Sequence, residues 1–488
     1  FYVAMFWAPL VWSAQPDGFT LLREWTYGGY GPDPSSVLEL TDADRRTVVA
    51  ARDIAVNDLV LAVPVENLMS PRYFKNRTES AWYRLFWDAL GEEGRMLTYV
   101  HPDTWMALYM MEQRWLGEAS RWHEYLSYLP QSFDEMPVFY GDQQFKWLVG
   151  SGFVGRAKHA RASLSEQYDM LKEHLGDQLH ATLEDFLWAR SAISSRVFGW
   201  QSLPGVESED GVQFMVPLGD MFNHRSPKQI EWVFNASSGH LEYIAQENIT
   251  KGDELTISYG AKCNSKYLLH YGFTVSGVSE RRNPPLSSVR IKFGLPLDAV
   301  DPTEKKALIL GSSMDDPPSL EAEFDLTMSI GRLDGQDVFS YLRFVYADYS
   351  TVKARFKNGS CKKYSSPPKC GTPFSVSNEK ATVAGFLEVL DAAEERYETT
   401  LERDNELLAT GGLPVWQKDL VILRRDEKVV LRWWRHFLKD DVMPVLHAST
   451  LEELETREKE IKGRGPESQY IAVRVVSLVR VALDKTEL

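Results

Sequence analysis

Two β-rich segments stand far apart in this chain, and a long helical stretch separates them. Residues 37–65 predict short strands joined by polar turns, because aliphatic and β-branched residues are concentrated there. Strand character returns at residues 212–258. Between about residues 72 and 198 the apolar residues follow helical spacing, and Leu108 and Met111 fall on one helical face. This order predicts one β-domain whose two halves are separated in sequence by a helical insert.

The chain is mostly helical in character after about residue 290. An apolar stripe from Val383 to Leu390 recurs at i, i+3, i+4 and i+7, which indicates a helix packed against a core. The glycines Gly411 and Gly412 are expected to end that helix. We therefore predict an α+β protein, with a β-rich core interrupted by a helical insert and followed by an all-helical C-terminal domain.

The charge balance and the cysteine content exclude some classes of protein. The 488 residues hold 54 basic and 69 acidic side chains, a formal net charge of −15. This balance argues against a chain that coats nucleic acid through phosphate contacts. Attraction of basic protein segments and simple solubility both remain open as its role. Three cysteines are too few for four-cysteine zinc clusters, and no His-Glu-x-x-His spacing occurs, so we predict no metal site.

The first residues of the sequence are strongly apolar. FYVAMFWAPLVW is followed by Ser13 and Ala14, which together match the length of a signal-peptide core with a small-residue cleavage site. The same string equally suits a hydrophobic strand. It is too short to span a bilayer, and no later stretch is long and apolar enough for a membrane helix, so we predict no membrane span.

Cys361 and Cys370 share one polar loop, GSCKKYSSPPKCGTP. An oxidising compartment would allow a local disulfide between them. Two free thiols in a surface loop are the alternative, and the sequence does not choose between the two.

The most specific motifs lie in and just after the second β-rich segment. VPLGDMFNHRSPKQIEW at 216–232 carries the pair Asn223-His224, a Ser-Tyr-Gly tripeptide follows around Tyr259, and a Tyr-Gly-Phe tripeptide begins at Tyr271. This order resembles the SET domain, the fold of protein methyltransferases that use S-adenosylmethionine. The resemblance implies that cofactor, a methyl transfer, and Tyr259 as the catalytic phenol.

The likeness extends over most of the chain. ARDIAVNDLVLAVPVENLMS at 51–70, SSRVF at 194–198 and NEKATVAGFLEVLDAAEERYETTLERDNELL at 378–408 are similar to the SET branch typified by the Rubisco large-subunit lysine methyltransferase, Rubisco LSMT. The resemblance implies a SET core with a pseudoknot and an appended helical substrate-binding domain. The implied domains are an apolar N-terminal segment at 1–19 (a signal or targeting remnant), a SET domain at 20–290 with its insert at about 72–198, and a helical substrate-binding domain at 291–488.

Three cofactor-binding residues carry over from the family, and Asp220 joins them by its position in the chain. The Asn-His pair that holds the bent cofactor corresponds to Asn223 and His224, and the arginine for the cofactor's carboxylate corresponds to Arg196. Asp220, one turn before the pair, is expected to orient Arg196. Taken alone, an Asn-His pair also suits a capped turn, and a helix-end arginine also suits a surface ion pair.

One loop departs from the family pattern. Where the family has a Gly-x-Gly-Leu turn, this chain has Asp44, Arg45, Arg46 and Thr47. Glycine permits close approach of the backbone to a ligand, so its loss weakens the expectation of cofactor contacts in this loop. Arg46 and Thr47 are its candidate cofactor-binding residues.

The methyl acceptor must be a neutral amine, because a protonated lysine has no lone pair. A narrow apolar channel disfavours the ammonium form and lowers its pKa. Phe198 and Tyr271 are the candidate substrate-binding walls of that channel, although Tyr271 equally suits ordinary core beside Phe273. In the family branch that methylates a histidine of actin, asparagine stands where this chain has Phe198. An apolar ring cannot hydrogen-bond an imidazole, so the resemblance implies lysine as the acceptor.

The predicted function is an S-adenosylmethionine-dependent protein-lysine N-methyltransferase, a monomer that acts on a protein presenting a lysine and makes no direct contact with nucleic acid. Two alternatives stay open. One is a catalytically silent SET scaffold that binds proteins, which the lost glycine turn motivates, and the other is a protein-histidine N-methyltransferase. The expected location is intracellular, in cytoplasm, nucleus or plastid, and the N-terminal apolar segment leaves endomembrane entry open.

Overall fold

The computed structural model contains two compact units. The first comprises residues 1–139 and 160–261, and the second comprises residues 140–159 and 262–488. Each unit combines strands with helices, and the predicted α+β class is confirmed. The structure describes residues 16–42, 46–97, 100–201, 212–276, 287–293, 322–330, 335–361, 370–462, 467 and 470–485.

Parts of the predicted domains fall outside this description. Most of the predicted N-terminal segment at 1–19 does, and so do Asp44 and Arg45 of the loop that lacks glycine. The domain bounds at 20–290 and 291–488 stay a prediction. Among the helices that the structure describes, none is both long and apolar enough to cross a bilayer.

The strands of the first unit form several small sheets. They are β1 (Leu38–Asp42), β2 (Arg46–Ala50), β3 (Leu59–Pro64), β4 (Val197–Trp200), β5 (Val212–Met215), β6 (Asn223–His224), β7 (Ile230–Asn235), β8 (His240–Ala245) and β9 (Thr256–Ile257). An antiparallel three-stranded sheet has the order β3-β8-β7. β1 pairs with β2 and β4 with β5 in antiparallel fashion, whereas β6 and β9 are parallel.

The two β-rich segments join in space across the insert. β3 pairs with β8, which places Val63 opposite Leu241, and both side chains are fully buried. The N–H of Leu255 donates to the carbonyl of Val48 at 2.9 Å, so the segment before β9 also pairs with β2. Because aliphatic side chains on both partners leave water when the strands pair, burial stabilises this register. The prediction of one β-domain with an insert is confirmed.

The helical insert packs its aromatic and aliphatic residues into the core of the first unit. Trp122 and Tyr125, for example, are fully buried there. Thr182 begins the last helix of the insert by a capping box with Asp185, and Arg196 is the last residue of that helix. The helices from the N-terminus through the insert are Pro16–Thr26, Pro34–Val37, Pro71–Phe74, Ala81–Leu97 with a break at Gly91, Pro102–Leu116, His123–Tyr128, Asp142–Phe145, Phe153–Leu175 and Leu183–Arg196.

The second unit is helical apart from one strand pair, β10 (Val289–Phe293) with β11 (Ala322–Leu326), among its described residues. The predicted stripe from Val383 to Leu390 is buried on one helix, as expected. Its helices are Asn264–Tyr271, Gly335–Tyr346, Tyr349–Lys357, Val376–Glu395, Leu401–Thr410, Val415–His436, Met443–Leu446, Leu451–Ile461 and Ser477–Asp484, with π-helical turns at Phe437–Val442 and Ile471–Val476.

The helix end predicted at Gly411 and Gly412 is wrong for the helix that carries this stripe. That helix already ends at Glu395, and Thr400 caps a new helix by accepting a hydrogen bond from the N–H of Arg403. The new helix is the one that ends before Gly411, whose φ is 73°. The threonine N-cap fixes where the second helix starts, and the glycine pair follows the end of that second helix.

The second unit also buries a cluster of charged side chains. Asp404 accepts hydrogen bonds from the guanidinium of Arg424 at 2.6 Å and from Nζ of Lys428 at 2.6 Å. All three side chains are at least nine-tenths buried. A buried charge needs such pairing to offset its lost hydration.

Cys361 and Cys370 are joined by a disulfide, and both residues are buried. Of the two alternatives that the sequence left open, the structure has the bonded pair. The third cysteine, Cys263, is a buried free thiol.

Candidate active site

Asn223 and His224 form a short parallel strand pair with the segment that leads to Tyr259. Asn223 lies opposite Thr256 and His224 opposite Ile257. The hairpin of β7 and β8 lies between these strands in sequence and lets the chain return in the same direction. The pairing sets the Asn-His motif and the Ser-Tyr-Gly motif side by side.

Two hydrogen bonds hold Tyr259 against the Asn-His motif. Its hydroxyl donates to the carbonyl oxygen of Phe222 at 2.8 Å, and its main-chain N–H donates to Nδ1 of His224 at 3.1 Å. The rings of Tyr259 and His224 have centroids 5.3 Å apart. Because Nδ1 of His224 accepts a hydrogen bond, the proton of the neutral imidazole resides on Nε2.

The side chain of Asn223 is oriented by a carboxylate. Its Nδ2 donates to Oε1 of Glu254 at 2.8 Å. Glu254 ends the Lys-Gly-Asp-Glu turn, and sequence reasoning gave it no role. An acidic residue just ahead of the strand that leads to the Ser-Tyr-Gly motif was the available signal.

Arg196 and Asp220 are in contact, chiefly through the main chain. Nη1 of Arg196 donates to the carbonyl oxygen of Asp220 at 2.8 Å and lies 3.8 Å from its Oδ1. The arginine side chain keeps 17% of its surface exposed. Its Nε is buried and has no hydrogen-bond partner among the described atoms. A cation with unused donor capacity suits an anionic ligand.

Asp220 is fixed in turn by a tyrosine from the insert. The Tyr125 hydroxyl donates to Oδ2 of Asp220 at 2.5 Å. Burial, and then the charge of Asp220, raise the pKa of Tyr125 well above its usual value, so the phenol stays a donor. Glycine at position 219, next to Asp220, lets the side chain of Tyr243 approach the backbone closely. A Cβ at position 219 would lie 2.2 Å from the hydroxyl oxygen of Tyr243. Sequence reasoning missed these three supports; a tyrosine in an otherwise apolar helical stripe was the signal for Tyr125.

Phe198 lies in an aromatic cluster of the first unit. It is buried, its ring is T-shaped to Trp232 with centroids 5.2 Å apart, and it stacks with Phe214 at 6.4 Å. Trp200 lies 5.5 Å from the same Trp232 ring. The rings that pack against Phe198 are aromatic, and its role as a channel wall stays a prediction.

Tyr271 belongs to the second unit. It ends the helix Asn264–Tyr271 and lies 6.2 Å from the ring of Tyr267 and 6.1 Å from that of Phe273. Burial raises the pKa of Tyr271 to about 12. It is therefore a neutral phenol near pH 7, and its role as a substrate-binding wall stays a prediction.

Arg46 and Thr47 begin strand β2. The backbone of Arg46 pairs with Asp42 and that of Thr47 with Thr41. The side chain of Arg46 lies outside the described residues. The loop that lacks glycine thus continues directly into a hairpin strand, and the cofactor role of both residues stays a prediction.

Comparison with known families decides the class of the chain. The SET domain family matches residues 45–260, and the family described as Rubisco LSMT substrate-binding matches residues 303–431. The chain is a SET-domain protein of the Rubisco LSMT-like class. The class predicted from the sequence is confirmed, and Tyr259 lies at the C-terminal end of the matched SET region.

The named relatives of this SET-domain protein are distant. The chloroplastic ribulose-1,5 bisphosphate carboxylase/oxygenase large subunit N-methyltransferase of Nicotiana tabacum is 24% identical over 406 residues, 79% of this chain and 74% of that protein. The ribosomal lysine N-methyltransferase set10 of Schizosaccharomyces pombe is 22% identical over 267 residues, 54% of this chain and 44% of that protein. The actin-histidine N-methyltransferase of Homo sapiens is 24% identical over 395 residues, 78% of this chain and 62% of that protein. The SET-domain protein therefore matches less than two thirds of the length of the last two.

Solved structures share the fold of this SET-domain protein. The SET domain of LSMT bound to lysine and AdoHcy superimposes with a TM-score of 0.67 at 20% identity, covering 93% of this chain and 97% of that one. Rubisco LSMT bound to AdoMet gives a TM-score of 0.64 at 20% identity, covering 93% and 99%. These likenesses establish the fold of the chain.

Proposed function

We propose that this SET-domain protein is an S-adenosylmethionine-dependent protein-lysine N-methyltransferase. The observation that carries the proposal is the pair of hydrogen bonds from Tyr259 to Phe222 and His224, which holds a phenol beside the Asn-His motif. Two proteins of the same fold are described as bound to AdoMet and to lysine with AdoHcy. Two sequence relatives are named as N-methyltransferases of the Rubisco large subunit and of ribosomal lysine.

The residues present fit the cofactor. Arg196 has a buried Nε without a described partner, so it offers a cation and a donor to the carboxylate of the cofactor. Asp220 orients Arg196, and Asn223 and His224 hold the rest of the ligand. Arg46 and Thr47 remain further candidates. S-adenosylmethionine, when bound, supplies a methyl group activated by a positively charged sulfur.

Tyr259 acts on the acceptor amine in this proposal. Its hydroxyl proton is directed to the carbonyl of Phe222, so the oxygen presents its remaining lone pairs to a donor such as the amine of a substrate lysine. The phenol is fixed before the substrate arrives and needs no reorganisation during the reaction. Its contribution is alignment of the amine lone pair, not a covalent intermediate.

Lysine fits the acceptor position better than histidine. Phe198 and the ring of Trp232 beside it give the predicted channel an apolar wall that disfavours an ammonium group and so lowers the pKa of a lysine. The Phe198 ring cannot hydrogen-bond an imidazole. Tyr271 is the second proposed wall. The human relative named as an actin-histidine N-methyltransferase makes histidine the alternative that the experiment must distinguish.

The location proposed for the protein has to reconcile two observations. The tobacco relative is named as chloroplastic, which supports a plastid. The disulfide between Cys361 and Cys370 supports passage through an oxidising compartment. A plastid entered through the endomembrane system satisfies both. The proposed partner there is a protein that presents a lysine to a monomeric enzyme.

The test is transfer of a labelled methyl group from S-adenosylmethionine to proteins of a cell lysate, followed by mass spectrometry of the labelled band. The methyl group is expected on the side-chain amine nitrogen, Nζ, of a lysine. A methyl group on an imidazole nitrogen would contradict the choice of lysine. Calorimetry with S-adenosylmethionine covers the remaining alternative, since a silent scaffold would show neither transfer nor heat of binding.

A further inference from the structure

The second unit contains a cavity of about 1060 Å³. Four parts of that unit border it: residues 142–159, strand β10, Glu323 of strand β11, and the end of the helix Val376–Glu395 with Arg396 and Tyr397 just after it. The volume is at the upper end of the range for ligand-binding clefts in proteins. None of the candidate active-site residues lines it.

Basic side chains dominate the border of this cavity. In a chain of net charge −15, such a concentration of positive charge marks the surface as unlike the rest. The acidic residues of the border are Asp142 and Glu323. Its basic residues are Lys146, Arg156, Lys158, Arg290, Lys292 and Arg396, with His159 beside them.

Part of this positive charge is neutralised within the protein and part is not. Asp325 accepts from Arg156 at 2.8 Å and from Arg290 at 2.6 Å. Although burial raises the pKa of Asp325, these two guanidinium groups outweigh it and hold that pKa below its usual value. By contrast, no carboxylate of the described chain forms an ion pair with Lys146 or Arg396. Those two cations remain available to a ligand.

Apolar side chains alternate with the cations around the cavity. Phe145, Val149 and Val154 line it, and Val149 keeps 39% of its surface exposed. A compact inorganic anion would leave these groups in water. A ligand that carries both negative charges and apolar groups would cover them as well.

The walls of the cavity are held in place by the protein itself. A Cβ at Gly150 would lie 2.6 Å from the backbone of Arg396, so only glycine lets the two segments approach this closely. Ser151 and Tyr397, on opposite segments, each donate a hydrogen bond of 2.9 Å to the buried carboxyl of Glu427. A cavity fixed in this way loses little entropy when a ligand binds.

We propose that this cavity docks an acidic segment of the protein substrate, one in which carboxylate and apolar side chains alternate. That the docked protein is also the protein that is methylated rests on the proposed function, whereas the docking of an acidic segment does not. The cations come from three separate parts of the chain and are interleaved with apolar groups, which matches the spaced carboxylates of a peptide better than the concentrated charge of a phosphate.

The experiment measures binding of a fluorescein-labelled peptide in which glutamates alternate with leucines, by fluorescence anisotropy with the full chain. The matched control peptide has glutamine in place of each glutamate. The acidic peptide is expected to bind, to bind more weakly as salt is raised, and to bind at least about tenfold more tightly than the glutamine peptide. ATP serves as a competitor that carries phosphate charge without the apolar side chains.

Charge reversal at the cavity locates the binding. The double variant Lys146→Glu/Arg396→Glu is expected to weaken peptide binding by about tenfold or more. Lys418→Glu, an exposed lysine of the same unit that does not line the cavity, should leave binding unchanged. Equal thermal unfolding of the three proteins shows that they fold alike.

The outcomes separate this proposal from the proposed function, because S-adenosylmethionine binding is measured on the same samples. Cofactor binding without peptide binding overturns the docking proposal alone. Peptide binding that the double variant abolishes supports the docking proposal, even where no methyl transfer is found. Binding that both variants weaken equally, or displacement of the peptide by equimolar ATP, overturns it.

Discussion

The hydroxyl of Tyr259 donates a hydrogen bond to the main-chain carbonyl of Phe222, with 2.8 Å between the two oxygens. Phe222 directly precedes Asn223, so the phenol of one motif is anchored on the backbone that begins the other. The parallel pairing of β6 with β9 holds the same two segments in register. The two motifs are therefore held together by both the side chain and the backbone, and they form one site.

Tyr259→Phe is expected to lower turnover by about one to three powers of ten while S-adenosylmethionine binding stays close to that of the wild type. The ring keeps its packing, and only the hydroxyl that aligns the amine is lost. Tyr168→Phe is the matched control, because its hydroxyl also donates to a main-chain carbonyl, that of Ala181 at 2.9 Å. Methyl transfer and calorimetry measure the two effects. Equal losses of turnover in both variants would remove Tyr259 from its proposed role.

Arg196→Lys is expected to raise the dissociation constant of S-adenosylmethionine by about tenfold or more, with a smaller effect on turnover at saturating cofactor. Lysine keeps the charge but loses the fork that reaches both the Asp220 carbonyl and a ligand. Arg190→Lys in the same helix is the control, since Arg190 donates to Gln167 at 2.6 Å within the insert. If the control weakens cofactor binding as much as Arg196→Lys does, the effect reports helix stability instead.

Glu427→Gln is expected to change how stability depends on pH. Burial raises the pKa of Glu427 from 4.5 to about 7 in the folded protein. Its protonated form therefore stabilises the fold fully below about pH 4.5, and this contribution is lost as pH rises through 7. The free energy of unfolding of the wild type should fall relative to that of the variant by roughly 3 kcal/mol over this window.

Urea unfolding at a series of pH values measures this difference. Glutamine keeps one carbonyl oxygen that accepts from one of the two hydroxyls of Ser151 and Tyr397, and its NH2 donates to the other hydroxyl, so the variant is expected to fold. Parallel stability curves for the two proteins would show that Glu427 keeps an ordinary pKa.

Replacing Cys361 and Cys370 by serine together is expected to lower the free energy of unfolding by about 2–3 kcal/mol. The bond closes a loop with a sequence separation of 9, and a short loop of this kind restricts the unfolded chain by about that amount. Chemical unfolding of the wild type with and without reductant is the comparison. Reductant should reproduce the effect of the double variant and leave the variant itself unchanged; a bond that is absent in solution would give identical curves throughout.

Local patterns predicted much of the fold and the centre of the site. The β-rich segments at 37–65 and 212–258 contain the strands that pair across the insert, because alternating apolar residues have one stable register. The positions of Asn223, His224 and Tyr259 followed from a short motif, and the structure brings the three together.

Contacts between distant segments could not be predicted in this way. Tyr125 reads as one more apolar residue of a helical stripe, and nothing near it in sequence indicates that its hydroxyl meets Asp220. The disulfide is similar, because the loop sequence allowed bonded and free cysteines alike.

The run Arg-Arg-Asp-Glu-Lys at 424–428 shows most clearly that local sequence does not predict which charged side chains are buried. Five consecutive charged residues suggest a solvated helix face, yet Arg424, Asp426, Glu427 and Lys428 are all buried. Their partners, such as Asp404 and Ser151, come from other helices and loops. The free energy of burying each charge depends on a partner that the local sequence does not contain.

The bonded pair in the second unit has a practical consequence for Cys263. Of the three cysteines in the sequence it alone keeps a thiol, and the residue is 5% exposed at the start of the helix that ends in Tyr271. A thiol-specific reagent will therefore label the native chain slowly and at one atom. The labelling rate becomes a reporter of how often this helix opens, without any engineered probe.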